Sequence, residues 1–193
     1  LILLSNSGWS IERLLRLMAN RMNGLPNAPR ASGPTPGDPP VYEKFSEAAK
    51  LMRHLQKEGM LRLGYQKIEN EHTPVIVIDS EARVFDETRR LKEMLGLAIE
   101  KDTFTIDALG DRPRPESLGI DLRSLLGTFF FASHGVEVPA DDLKIGRAMT
   151  TKDESGKPFD WSLVVGDLVS IRSQTKKPDN AQVAIKYRGS WFY

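Results

Sequence analysis

The residues with the greatest chemical capacity in this chain are three histidines, His54, His72 and His134, and two adjacent acid pairs, Asp141 with Asp142 and Asp153 with Glu154. Imidazole needs a second ligand or base at a fixed spacing to hold a metal or activate water, as in His-Glu-x-x-His, and none of the three has one. Each has a plain structural reading: His54 on a basic helix face, His72 in a turn, His134 at a helix C-terminus where the dipole favours a cation. General acid and base catalysis needs two environments that push a pair of pKa values apart, which neighbouring loop positions do not supply. The glycine turns "GLPN", "GDPP" and "DESGKP" lack the spacing of a phosphate-binding loop. There is no cysteine, hence no disulfide, thiolate metal site or thiol nucleophile. No catalytic, metal-ligating or cofactor-binding residue is assigned, and no cofactor is expected.

Binding chemistry is better represented. The net charge of +1 conceals segregation, with about +5 over residues 1–68, −6 over 69–121 and +2 over the remainder. Two N-terminal helices followed by a hairpin have the order of a winged helix, with Arg13, Arg16, Arg21, Lys50, Arg53, Lys57, Arg62 and Lys67 nearby. Against a nucleic-acid surface, Glu43, Glu47 and Glu58 dilute that charge, and the proline-rich insertion between the helices is too long for a helix-turn-helix. The chain ends in "YRGSWFY", whose Tyr187, Arg188, Trp191, Phe192 and Tyr193 are of the types enriched at protein interfaces. These five form the candidate interface; core packing and a ligand-stacking platform are the other uses of such a run.

The elements that position these residues follow from periodicity. Ser10 caps a first helix with Ile11, Leu14, Leu15, Met18 and Met22 on one face, ended by Gly24. Residues 25–40 hold six of the twelve prolines and read as a linker or mobile loop. A second helix over 42–58 turns Phe45, Ala48, Ala49, Met52 and Leu55 inward. An antiparallel hairpin over about 60–79 comes next, then a third helix over 80–95 with Val84, Thr88, Leu91 and Leu95 inward and Gly96 closing it. A short strand "DTFTIDAL" precedes a fourth helix over 120–134, whose Leu122, Leu125, Leu126, Phe129 and Phe130 predict a central position. A last hairpin over about 167–193 pairs "DLVSIRS" with "AQVAIKYR", burying Val169, Ile171, Val183, Ile185 and Tyr187, with a turn at Gly189. The order predicts an α+β fold: four main helices, two antiparallel hairpins and one additional strand. The expected division is an N-terminal helix over 1–24, the proline-rich segment 25–40, and an α+β domain over 41–193 that the first helix could join.

Four blocks, "LSNSGWSIERLLRLMANRMNGL", "DLRSLLGTFFFASHGVEVP", "PFDW" and "LVSIRSQTKKPDNAQVAIKYRGSWFY", resemble the C-terminal part of a family of uncharacterised Gram-negative bacterial lipoproteins and exported proteins. The resemblance implies a cell-envelope protein of the periplasm or outer-membrane periphery. Attachment to the membrane would run only through a region upstream of Leu1, because no stretch here reaches the roughly 18 apolar residues of a span. It carries over no catalytic residue. The expected function is a non-enzymatic structural or assembly domain, within a secretion or surface complex, that binds a protein partner or itself; the alternative is a winged-helix-like nucleic-acid-binding module.

Overall fold

The computed structural model describes residues 1–193 and has an α+β fold with a six-stranded mixed sheet and a second sheet of three strands. The chain packs as two compact units, Leu1–Pro29 with Val41–Arg123, and Arg30–Pro40 with Ser124–Tyr193. Residues 1–24 thus belong to the first unit, and the proline-rich segment is shared between the two.

In the first unit, helices α1 (Ile2–Asn6), α2 (Ile11–Met18), α3 (Glu43–Lys57) and α4 (Asp86–Leu95) accompany strands β1 (Ala19–Met22), β2 (Leu25–Pro26), β3 (Leu61–Ile68), β4 (Glu71–Ile78), β5 (Thr103–Asp107) and β6 (Ser117–Leu122). The sheet order is β2-β1-β6-β5-β4-β3, antiparallel except for the parallel pair β5 and β6. The predicted hairpin over 60–79 is β3 and β4, in register from Leu61 opposite Ile78 to Ile68 opposite Glu71. It is the edge pair of the large sheet and not a free-standing wing. All five predicted core residues of α3 are buried, packed in one cluster with Ile11 and Leu15 of α2, Leu91 and Leu95 of α4, and Ile76 and Phe104 of the sheet. Amphipathic spacing was sufficient there because the other face of α3 carries Lys44, Lys50 and His54, which stay in water, and Glu47, which pairs with Arg90 of α4.

Three expectations for this unit are corrected. The first helix stops at Met18, and Ala19 to Met22 is a strand. Met22 is still buried, but Gly24 forms a hairpin turn instead of a helix cap: Met22 lies opposite Leu25, and Asn23 and Gly24 take positive φ values of 44° and 84°. An Asn-Gly pair suits that two-residue turn because both its central residues need the left-handed region. The third helix is split. Ser80–Val84 is a 3-10 turn, α4 begins at Asp86, and Val84 points outward, whereas Thr88, Leu91 and Leu95 are buried and Gly96 is the left-handed cap. The proposed fourth helix does not begin near 120, because Ser117–Leu122 is strand β6, alongside β1 and β5.

Polar groups close the gaps that this mixed topology leaves. The buried Asn23 amide donates to the carbonyls of Leu95 (2.9 Å) and Ser117 (3.1 Å) and accepts from the Gly119 amide (2.6 Å), joining turn, helix end and β6. Buried Arg123 donates to the carbonyls of Arg16, Leu17, Ala19 and Asn27, which covers the C-terminal end of α2. Burial lowers the Arg123 pKa to about 9, so the guanidinium remains charged at neutral pH. Lys92 is buried as well, donating to Ile99 (2.8 Å) and Lys101 (2.5 Å) carbonyls.

The second unit contains α5 (Leu125–Ser133), α6 (Ala140–Lys144), α7 (Ser162–Val165) and strands β7 (Ser173–Gln174), β8 (Ile185–Tyr187) and β9 (Ser190–Phe192). Its buried residues include Ala31, Phe131, Val164 and Val165. Residues 30–40 are packed here: the Thr151 hydroxyl donates to the Pro36 carbonyl (2.7 Å), and Pro29–Ser32 forms a 3-10 turn. The final hairpin is also rearranged. β9, the aromatic run, lies in the middle of the order β7-β9-β8, so "DLVSIRS" does not pair with "AQVAIKYR". Gly189 does turn the chain, together with Arg188 (φ 89° and 47°).

Candidate interaction surface

The side chains singled out for catalysis remain dispersed. His54 and His72 are exposed in the first unit. Asp141 and Asp142 lie in the first turn of α6 and pair with Lys144 (3.4 Å) and Arg147 (3.1 Å). Asp153 closes a local turn by accepting from Ser155 and Lys157, and the Ser155 hydroxyl, foremost among these donors, holds its carboxyl below the usual range. No cluster of three or more histidine, aspartate or glutamate side chains is placed to hold a metal ion.

His134 differs from its expected role. It is the C-cap residue of α5, but its ring is stacked on Trp161, with centroids 3.8 Å apart and planes at 11°, and Phe159 meets the same indole edge-on at 5.3 Å. Burial holds its pKa below the ordinary imidazole value, opposed by a hydrogen bond with the Ala31 backbone, and Nε2 is buried without a partner. The group is therefore neutral at pH 7 and not a dipole-stabilised cation. The stack forms part of a cleft of about 420 Å³ with Val136, Val138, Leu143 and Met149.

The strongest surface feature is α5. Ser124 caps it through the Gly127 amide (3.0 Å), and its sequence, LLGTFFFAS, is apolar nearly all round. Of the residues expected to face inward, Leu125, Leu126 and Phe129 are 75%, 65% and 63% exposed, Phe130 is exposed too, and Leu122 is the last residue of β6. The helix instead buries Gly127 and Phe131, four residues apart on the opposite side. A side chain at 127 would approach Ser32 to 3.3 Å, so glycine allows the close contact and Phe131 fills the space beyond. Spacing could not orient this helix because both of its faces are apolar. The glycine was the available signal, since inside an apolar helix it marks a close packing side.

The five aromatic-run residues are brought together in the small sheet. Tyr187 and Arg188 are exposed, whereas Trp191, Phe192 and Tyr193 are half-buried. The Tyr193 hydroxyl donates to Gln174 Oε1 (3.0 Å). Val183, Ile185 and Tyr187, predicted to be buried, are 71%, 64% and 58% exposed, on and just before the edge strand β8. Lys177 lies over the Trp191 ring at 5.7 Å and Arg188 over Tyr187 at 5.2 Å, two contributors that strand spacing did not single out as a pair. No helix is long and apolar enough to cross a membrane. No protein-family model, curated protein or solved structure matches the chain.

Proposed function

We propose that this chain is a non-enzymatic assembly domain, with the second unit as the part that docks a protein partner or a second copy of itself. The observation that carries this reading is the outward apolar face of α5, where three large side chains in two turns stand mostly in water. A contiguous patch of that kind on a folded protein marks an interaction site. The resemblance of the four sequence blocks adds a setting, the periplasm or outer-membrane periphery of a Gram-negative bacterium, which fractionation of the parent cell would test. The direct test replaces Leu125 and Phe129 with aspartate. Concentration-dependent association, or capture of a defined envelope partner, is expected in the parent chain and absent in the double variant; a parent chain that stays monomeric and captures nothing would overturn the reading.

A further inference from the structure

The three-stranded sheet of the second unit has one closed edge and one open edge. On the β7 side, Ile171 bridges Val136, the Glu137 amide donates to the Ile171 carbonyl (2.8 Å), and the Glu137 carboxylate accepts from the Ser173 amide (3.0 Å). On the other side the order ends at β8, with no neighbour. The ladder fixes what this edge presents. Arg172 and Tyr193 exchange both backbone hydrogen bonds, so antiparallel alternation turns the Trp191 N–H and C=O towards β7 as well. Lys186 lies opposite Trp191, so its own N–H and C=O point away from β9, out of the sheet.

The two faces beside that edge differ in chemistry. Ile185 and Tyr187 share one face and are exposed; Lys186 and Trp191 share the other, with Lys177 over the indole. From Arg172 to Tyr193 the sequence holds five cations, Arg172, Lys176, Lys177, Lys186 and Arg188, against one acid, Asp179. All five cations are exposed and none makes an ion pair.

We propose that the open edge of β8 accepts an extended segment of a partner protein in which acidic and apolar residues alternate. A strand added there sends successive side chains to opposite faces, its acids to Lys186 and Lys177 and its apolar residues to Ile185 and Tyr187. A second copy of β8 is disfavoured, because Lys186 would meet its own counterpart across the edge, a device that blunts self-pairing and admits the opposite charge. Exposed rings beside cations are also the materials of a single-stranded nucleic-acid platform, which would be indifferent to the backbone edge of β8, so oligothymidylate is included in the test. This inference rests on the reading of the second unit as a protein-docking module but uses a different surface from α5.

The test titrates the full chain with a labelled peptide alternating valine and aspartate, and follows anisotropy together with hydrogen exchange at the Lys186 amide. Controls are a peptide of the same composition with valines and aspartates in separate blocks, one with lysine for aspartate, and oligothymidylate. The alternating peptide should bind and protect the Lys186 amide, both control peptides should bind at least about tenfold more weakly, and Lys186→Glu should weaken binding by about tenfold while near-ultraviolet circular dichroism stays unchanged. Equal binding of the block peptide, binding of oligothymidylate as tight as the alternating peptide, no binding, or no protection at Lys186 would each overturn the proposal. Loss of association in the Leu125 and Phe129 double variant has no bearing on peptide binding, so the two readings fail separately.

Discussion

Leu125→Asp with Phe129→Asp should abolish association through α5 and leave the fold intact. Fully burying a leucine or phenylalanine side chain is worth about 1.5–3 kcal/mol. Leu125 and Phe129 have 75% and 63% of their surface still to bury, so covering both contributes about 2–4 kcal/mol to an interface. That range is roughly 30- to 700-fold in Kd, before the added cost of desolvating two carboxylates. Stability should change by no more than about 0.5 kcal/mol, because these positions give up little burial in the folded chain. Phe131→Ala provides the contrast on the same helix: its side chain is fully buried, and its loss should cost about 3–5 kcal/mol. Sedimentation velocity over a concentration series reads the first effect, and urea denaturation followed by tryptophan fluorescence reads the second. If the double aspartate variant loses as much stability as Phe131→Ala, the exposed face is core after all. If it is stable and associates like the parent chain, α5 is not the docking surface.

Three further outcomes follow from the polar network and from His134. Arg123→Met should destabilise the first unit by about 1–3 kcal/mol, because the Leu17 and Asn27 carbonyls lose the guanidinium while the Asn27 side-chain amide still donates to Arg16 and Ala19, and Arg123→Lys should recover little since one ammonium cannot span four acceptors; urea midpoints decide it. Asn23→Ala should cost about 2–4 kcal/mol, with Asn23→Gly roughly 1 kcal/mol milder because glycine tolerates the positive φ of 44°; equal losses would show that turn strain is not a component. The His134 pKa is lowered in the folded chain, so below an unfolded value of about 6.5 the unfolded state binds more protons. Its contribution to stability is complete above that pH and declines as pH falls towards the folded pKa. His134→Phe keeps the ring on Trp161 and should flatten the dependence between pH 7 and pH 5; the same slope in both proteins would exclude His134 as its source.

How much of this was legible in the sequence depended on whether an element has one apolar face or two. α3 alternates Phe45, Ala48, Ala49, Met52 and Leu55 with charged residues, and spacing gave its buried side correctly. The hairpin β3 and β4 was equally clear at its base, where Leu61 and Leu63 are buried and Arg62 is exposed, whereas Tyr65 on the same apolar stripe is 60% exposed. Met22 misled because position 22 continues a helical stripe from Ile11 and Leu15, yet it reaches the same core from a strand. Asn23 and Gly24 carried the contrary signal, an Asn-Gly turn, which outweighs a weak helical period. Residues 120–122 of β6 were absorbed into the following helix for a similar reason, Leu122 falling three residues before Leu125.

The candidate surfaces were hidden by a different limit. Period-based reading assumes that apolar residues seek the core, and in α5 and β8 the chain has more large apolar side chains than its small second unit buries. Phe131 takes the inward position of α5 because Gly127 lets that side approach Ser32, so Leu125, Leu126 and Phe129 are left outward as a set. β9 takes the middle of its sheet because β7 and β8 both pair with it, so Ile185 and Tyr187 have no covering layer. Each exposed set is thus the consequence of a neighbouring contact that the sequence does not state. In the first unit, by contrast, four helices accompany a six-stranded sheet, and a single large cluster buries most of the apolar stripes. The proposed docking role therefore draws on two features of the second unit, the uncovered apolar face of α5 and a sheet edge at Lys186 whose charge would restrict which strand can add to it.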